Sequence, residues 1–172
     1  NYTPVNTATS YVYTFVNDLG EESAPSIPSA TVLRPDGVSI TVTTPTGTPT
    51  GTDPDYGIVT KRIYRAATGT SGTLFLFVAE IPLSQADFVD NLAETELGVA
   101  LESEDWDLPP TDLRGILALP NGVMVGFRRN QLCFSAQNHP HAWPVRYRLN
   151  TYTSIVGIGN IDDDPQLEII AT

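Results

Sequence analysis

Positive charge, sulfur and long apolar runs are all scarce in this 172-residue chain. Nine basic residues stand against 20 acidic ones, a net charge of −11. A phosphate backbone is repelled by such a field, so direct nucleic-acid readout through a broad basic face is excluded as an expectation. The lone cysteine, Cys133, rules out an intrachain disulfide. It sits in the alternating stretch Gln131-Leu132-Cys133-Phe134-Ser135 and reads as a small buried hydrophobe. The longest apolar run, Leu74 to Ala79, is too short to span a bilayer, and nothing has the form of a signal peptide. A soluble protein is expected. With one methionine, Met124, and Asn1 at its start, the chain reads as a piece of something longer.

What is present is strand chemistry. Only 17% of residues are charged and 41% are apolar, enough to fill a core, while 14 prolines and 13 glycines favour turns over long helices. Tyr11–Val16 is β-branched and aromatic throughout, and Asn17-Asp18-Leu19-Gly20 closes it as a turn. Val38, Ile40 and Val42 alternate onto one strand face after the turn at Asp36-Gly37, and residues 43–56 read as an exposed loop. Arg62–Arg65 and Leu74–Val78 form an expected hairpin, and Phe88-Val89 a further short strand leading into an acidic loop. Asp105-Trp106-Asp107-Leu108-Pro109-Pro110 marks an expected boundary, because paired prolines forbid a central strand. Charge changes there too: residues 1–113 hold 4 basic and 16 acidic residues, residues 114–172 hold 5 and 4. Beyond it, Pro120-Asn121-Gly122 joins two apolar runs, a strong hairpin signal. Arg128-Arg129-Asn130 turns into Gln131–Ser135, and Ile155–Ile158 faces Leu167–Ile170 across an Asp-rich turn. Successive short antiparallel strands of this kind build propeller blades.

The stretch Tyr11 to Ser26, with Tyr-x-Tyr-x-x-x-Asn before Gly-Glu-Glu-Ser-Ala-Pro-Ser, resembles the last two strands of a fibronectin type III module. Residues 38–42, 61–65, 74–81 and 86–90 resemble its earlier strands, with Arg62-Ile63-Tyr64-Arg65 matching a common strand of that family. The terminal pair comes first, so the resemblance implies either a circularly permuted sandwich or two neighbouring modules cut mid-way. Permutation is the more economical, since one set of strands then closes one core. Leu113-Arg114-Gly115, Leu119-Pro120-Asn121-Gly122, Gly126-Phe127, Cys133-Phe134-Ser135, His139-Pro140-His141-Ala142-Trp143-Pro144, Tyr147 and Ile155-Val156-Gly157-Ile158 are similar to a family of tailed-bacteriophage structural proteins. That resemblance implies a virion location in a tail-tip or nozzle complex. It also implies propeller strands carrying an inserted sandwich.

Each candidate site has a plainer counterpart. His139, His141 and Cys133 could ligate a metal, but no third ligand is evident beyond the His-x-His pair, and Pro140 and Pro144 favour an extended packing segment. Ser135 with either histidine lacks the strand–turn–helix elbow and the glycine-rich oxyanion loop of a nucleophile. Glu94, Glu96, Glu102, Glu104, Asp105 and Asp107 could pair as hydrolytic carboxylates, or form a solvated acidic loop. Asn160, Asp162, Asp164 and Glu168 resemble the calcium loop of integrin-type propellers, but Pro165 replaces the glycine of that loop and only one copy occurs. Asp162–Asp164 is therefore expected to be a hairpin turn, with no cofactor and no metal. Arg128, Arg129, Arg146 and Arg148 could dock on an acidic neighbour or line a solvated strand face.

The expectation is an all-β chain, with a fibronectin type III-like sandwich over 1–107 and a propeller fragment of antiparallel strands over 108–172. Its function is a non-enzymatic structural part of a phage virion, contacting copies of itself in a homo-oligomer and other virion proteins without spanning a membrane. Trp143, His141, Arg128 and Arg129 are its expected interface residues. The alternative is a receptor- or glycan-binding adhesion module using the 43–56 loop or Trp143.

Overall fold

A computed structural model describes all residues except 1–5, 36, 50–55, 70, 71, 161–166 and 172. The chain is all-β, with strands β1 (Asn6–Thr9), β2 (Tyr11–Asn17), β3 (Val32–Pro35), β4 (Ile40–Thr43), β5 (Ile58–Gly69), β6 (Gly72–Pro82) and β7 (Asp87–Asp90) in its first part. Then follow β8 (Arg114–Ala118), β9 (Met124–Arg128), β10 (Gln131–Phe134), β11 (Arg148–Asn150), β12 (Ile155–Asn160) and β13 (Leu167–Ala171). Two compact units divide it, Asn1–Glu104 and Asp105–Thr172. Asp105, Trp106 and Asp107 thus belong with the second unit, three residues ahead of the boundary expected from the prolines.

In the first unit β5 is the central strand, antiparallel to β2 on one side and β6 on the other. Tyr11 pairs with Arg65, Tyr13 with Ile63 and Phe15 with Lys61, so the chain's first long strand does share a sheet with Arg62–Arg65 and Leu74–Val78. Period-two alternation sends Tyr11 and Ile63 to one face. There they pack with Val78 and Ile81 beneath Ile40, Val42 and Phe88 of the separate β4–β7 pair. Val12 and Tyr64 point the other way and pack with Leu101, Phe75 and Phe77.

Both edges of this sheet are covered by segments that are not regular strands. Along β2, residues 23–29 (Ser-Ala-Pro-Ser-Ile-Pro-Ser) run antiparallel and bond at every third residue. Ser23, Ser26 and Ser29 donate their N–H groups to the carbonyls of Phe15, Tyr13 and Tyr11, each at 2.9 Å. In return Phe15, Tyr13 and Tyr11 donate their N–H groups to the three serine hydroxyls at 3.0, 3.2 and 3.0 Å. Pro25 and Pro28 fall between the bonding positions, where no N–H is needed. On the opposite edge Gly98 donates to the Phe77 carbonyl, and Phe77 to that of Val99. An exposed ladder would invite edge-to-edge pairing, and these two segments occupy it.

In the second unit β8, β9, β10 and β11 form a four-stranded antiparallel sheet in meander order, and β12–β13 is a separate hairpin. Val125, Phe127, Leu132 and Ile155 fill its core with Leu119. The Pro120-Asn121-Gly122 turn forms as expected. Gly122 has φ +77°, and a Cβ there would collide with Asn138 Oδ1. Where an extended segment was expected between the last two hairpins, residues 136–142 instead double back. Asn138 takes φ 60° and Ala136 donates to the Ala142 carbonyl at 2.8 Å, which Pro140 tolerates because it sits in the turn. Val145–Tyr147 is a 3₁₀ turn, so Arg146 and Arg148 do not share a continuous strand.

Candidate functional sites

The inward face of β5 reads Lys61, Ile63, Arg65, a cation on either side of an apolar residue. All three are buried, and each cation meets a different answer to the cost of burial. Arg65 Nη1 donates to Asp90 Oδ2 at 2.6 Å, with the two side chains 4% and 0% exposed. The Tyr11 hydroxyl donates to the same oxygen at 2.7 Å, and the Leu92 N–H to Oδ1 at 3.0 Å. Burial first, and the adjacent Asp90 second, push the Tyr11 hydroxyl up to about 12. A second guanidinium joins from β3. Arg34 donates from Nε to the Val38 carbonyl at 2.7 Å and from Nη2 to the Leu92 carbonyl at 2.9 Å, while its Nη1 stands 4.0 Å from Asp90 Oδ2. Beside this node lies a cavity of about 380 Å³ lined by Arg34, Arg65, Thr7, Thr9, Glu94 and Glu96.

Among the described residues no carboxylate pairs with Lys61. Its ammonium donates to Thr44 Oγ1 and to the carbonyls of Pro45 and Gln85, each at 2.7 Å. Three neutral oxygens match its three protons, but burial still holds its pKa below the ordinary lysine value. A fully enclosed amine with every proton engaged has no route to a substrate. On the outward face Glu22 accepts from Thr14 Oγ1 at 2.6 Å, the Tyr64 hydroxyl at 2.7 Å and Arg62 Nη1 at 2.8 Å. Arg62 also donates to Glu80 at 2.8 Å, and that bond raises the guanidinium's pKa and lowers the carboxyl's. Burial, then Glu22, raises the Tyr64 hydroxyl.

In the second unit the Pro-His-Ala-Trp-Pro block is interior scaffold. Trp143 is 3% exposed, its indole donates to the Pro140 carbonyl at 2.8 Å, and its N–H donates to the Asp107 carbonyl at 2.8 Å. Trp143 is therefore packed within its own unit, the role favoured for this block, and its indole is not exposed as the interface alternative would need. Trp106 packs on His139 and His141, with ring centroids 4.6 and 5.4 Å away, and the imidazoles are 5.8 Å apart. His141 is half-buried in that cluster. Ser135 is buried; its hydroxyl accepts from the Met124 N–H at 2.8 Å and donates to the Ala136 carbonyl at 2.9 Å. Its proton is thereby committed to the backbone. Cys133 is buried as well, and burial raises its thiol pKa. Among the described residues no three His, Cys, Asp or Glu side chains converge as a metal-ligand set.

Arg128, Arg146 and Arg129 are separated in role. Arg128 donates to Gln131 at 3.1 Å and to Asp112 at 3.2 Å. Arg146 pairs with Asp105 and lies 4.8 Å from the centre of the Tyr147 ring. Arg129 is exposed at the β9–β10 turn with φ 50°, a left-handed conformation uncommon for a residue with a side chain. Its carbonyl accepts from the Ile155 N–H at 2.7 Å, so the reversal is tied to β12. Glu94 and Glu96 form a 3₁₀ turn in the first unit, whereas Asp105 and Asp107 belong to the second. Of the calcium-loop residues, Asn160 ends β12 opposite Leu167, while Asp162 and Asp164 lie outside the described residues.

The node of Arg34, Arg65, Asp90 and Tyr11 escaped the sequence reading. Its one legible signal is Arg65 at the spacing that puts Ile63 in the core, with Asp90 ending an otherwise half-buried strand. Among the described residues no helix is long and apolar enough to cross a membrane. No protein-family model matches the sequence, and no curated protein matches it at a significant level.

Proposed function

We propose that the chain is a non-enzymatic structural component of a bacteriophage virion, from its tail or nozzle complex, acting by assembly with copies of itself and other virion proteins. The observation that carries this reading is the disposition of residues 139–144, the most specific block of the phage-family resemblance. Trp143 is spent on packing and two hydrogen bonds within its own unit. Ser135, a nucleophile near that block, donates its hydroxyl proton to a backbone carbonyl. A block used in this way shapes a scaffold. It also deprives the adhesion alternative of its aromatic platform.

Strand neighbours support the architectural half of the reading. Immunoglobulin-like sandwiches pair strands C, F and G in one layer and B with E in the other. Here residues 23–29, β2 and β5 take the G, F and C places, and β4–β7 takes the B–E place. That arrangement favours a circularly permuted fibronectin type III-like sandwich. The β8–β11 meander has the four-stranded order of one propeller blade.

Immunogold labelling of purified phage particles with antibody against the chain tests the reading. Label at the tail, with the chain detected in the particles by mass spectrometry, is the expected result. Absence from purified particles overturns it, and saturable binding of the isolated monomer to a cell-surface glycan favours adhesion instead.

A further inference from the structure

We propose that the cavity beside Arg34 and Arg65 is a binding site for a single carboxylate on a neutral or cationic body. Two guanidiniums line it, with side chains 11% and 4% exposed, and they share one carboxylate, Asp90. Asp90 already accepts from Tyr11 and Arg65 on Oδ2 and from the Leu92 N–H on Oδ1. Among the described residues the buried charge here is two guanidiniums to one carboxylate, in a setting where an unbalanced charge is costly. Donor capacity remains as well. Among the described residues Arg34 Nη1 pairs only with Asp90 Oδ2, at 4.0 Å and beyond hydrogen-bond reach, whereas Nε and Nη2 are satisfied by carbonyls. A planar carboxylate is the acceptor that a guanidinium edge matches.

The volume, about 380 Å³, lies within the range of small-ligand sites. The rim sets the selectivity. Glu94 and Glu96 line the opening and are exposed, and Glu96 Oε2 accepts the Ala93 N–H at 2.7 Å. Their charges are screened by water, so they weaken an anion on the floor only modestly. They disfavour polyanions such as citrate or a nucleotide, whose several charges each meet that repulsion, and they favour a ligand whose far end is neutral or positive. This inference is independent of the virion reading, since a carboxylate site can exist whether or not the chain enters particles.

The test is titration of the whole chain, followed by amide NMR shifts at constant ionic strength. Acetate and glycine serve as free carboxylates, an amide-capped peptide with one Glu as the protein-borne source, and chloride and citrate as controls. Saturable shifts at Thr7, Asn91 and Leu92 with any of the three carboxylate probes, and none with the controls, are expected. Tighter binding of the peptide than of acetate assigns the source to a protein side chain; the reverse assigns it to a free acid. Arg34→Met should abolish the shifts. Because Arg34 also bonds two backbone carbonyls, Glu94→Gln provides a second arm that leaves the floor intact. It should tighten acetate binding roughly two- to five-fold, the worth of one exposed charge. No saturable shift with any carboxylate, unchanged binding in folded Arg34→Met, or unchanged affinity in Glu94→Gln would each show the node to be a structural ion pair only.

Discussion

Arg65 on β5 and Asp90 at the end of β7 join the two strand layers of the first unit through a 2.6 Å ion pair from which solvent is excluded. The hydrophobic residues between those layers are interchangeable in kind, but this pair is not. It fixes which end of β7 lies over which residue of β5, and it brings Tyr11 of β2 into the same node.

Replacing Asp90 with Asn should therefore be far more damaging than a surface substitution. It leaves the Arg65 guanidinium buried without its counter-charge, and losing one partner of a buried pair costs about 3–5 kcal/mol. Urea denaturation of D90N should show a midpoint lowered accordingly, with little change in slope. A double variant, Arg65→Met with Asp90→Leu, should recover much of the loss. A D90N protein as stable as the parent would mean that the pair contributes nothing to joining the layers.

The two buried tyrosines predict a loss of stability at high pH. The folded-state pKa of Tyr11 is raised from 10.0 to about 12, and that of Tyr64 is raised too. A raised value means that the folded chain holds a proton the unfolded chain releases. Their contribution is complete below pH 10 and is lost as pH rises toward 12, roughly 2–3 kcal/mol for Tyr11 alone. Lys61 acts in the opposite sense: its pKa is lowered, so rising pH relieves the cost of burying its charge up to its unfolded value of 10.5. Tyrosinate absorbance should show two of the seven tyrosines ionising late, together with unfolding. Tyr11→Phe should remove one of them.

The serine repeat on β2 gives a prediction that side-chain burial alone would miss. Ser26 Oγ accepts the Tyr13 N–H and donates to the Ile27 carbonyl, so its hydroxyl stands where a neighbouring strand would present a carbonyl. Ser26→Ala removes the acceptor and should cost about 1 kcal/mol. Hydrogen exchange should report a larger local effect, with the Tyr13 amide losing protection while Ile63 keeps its own. Unchanged exchange at Tyr13 would show that the hydroxyl is incidental.

Much of this fold was legible because its signals are local. Tyr11–Val16 and Leu74–Val78 announce themselves by β-branched and aromatic composition, and Asn121-Gly122 by turn chemistry. β1 and β3 were not legible. Asn6–Thr9 is short and polar, and it becomes a strand only because Val32–Pro35 returns beside it. The Arg65–Asp90 node was hidden for the same reason, since 25 residues separate its partners and neither neighbourhood hints at the other. Trp143 was legible in part. Its packing role was legible but its setting was not, because the expected extended segment is a reversal that depends on Asn138 accepting a left-handed conformation and brings the indole to Pro140 and the backbone to Asp107.

The placement of Asp105–Asp107 leads to a final prediction, about where the chain can be cut. A cut at the prolines, before Leu108, separates three residues from the unit they complete. Trp106 covers His139 and His141, Asp107 accepts the Trp143 N–H, and Asp105 pairs with Arg146. Among the described residues the main core cluster of this 68-residue unit holds five buried hydrophobics, with no disulfide, and such small cores are marginal. Losing a large aromatic contact alone costs about 3–5 kcal/mol in a core and less at a half-buried site such as Trp106. A fragment 105–172 should thus melt at a distinctly higher temperature than 108–172, which should be aggregated or unfolded. Residues 1–104 should give a cooperative transition of their own, because both edges of their central sheet are already covered. Thermal melts of the three fragments followed by circular dichroism decide it. Equal melting of 105–172 and 108–172 would show that Trp106 and its neighbours are a linker after all.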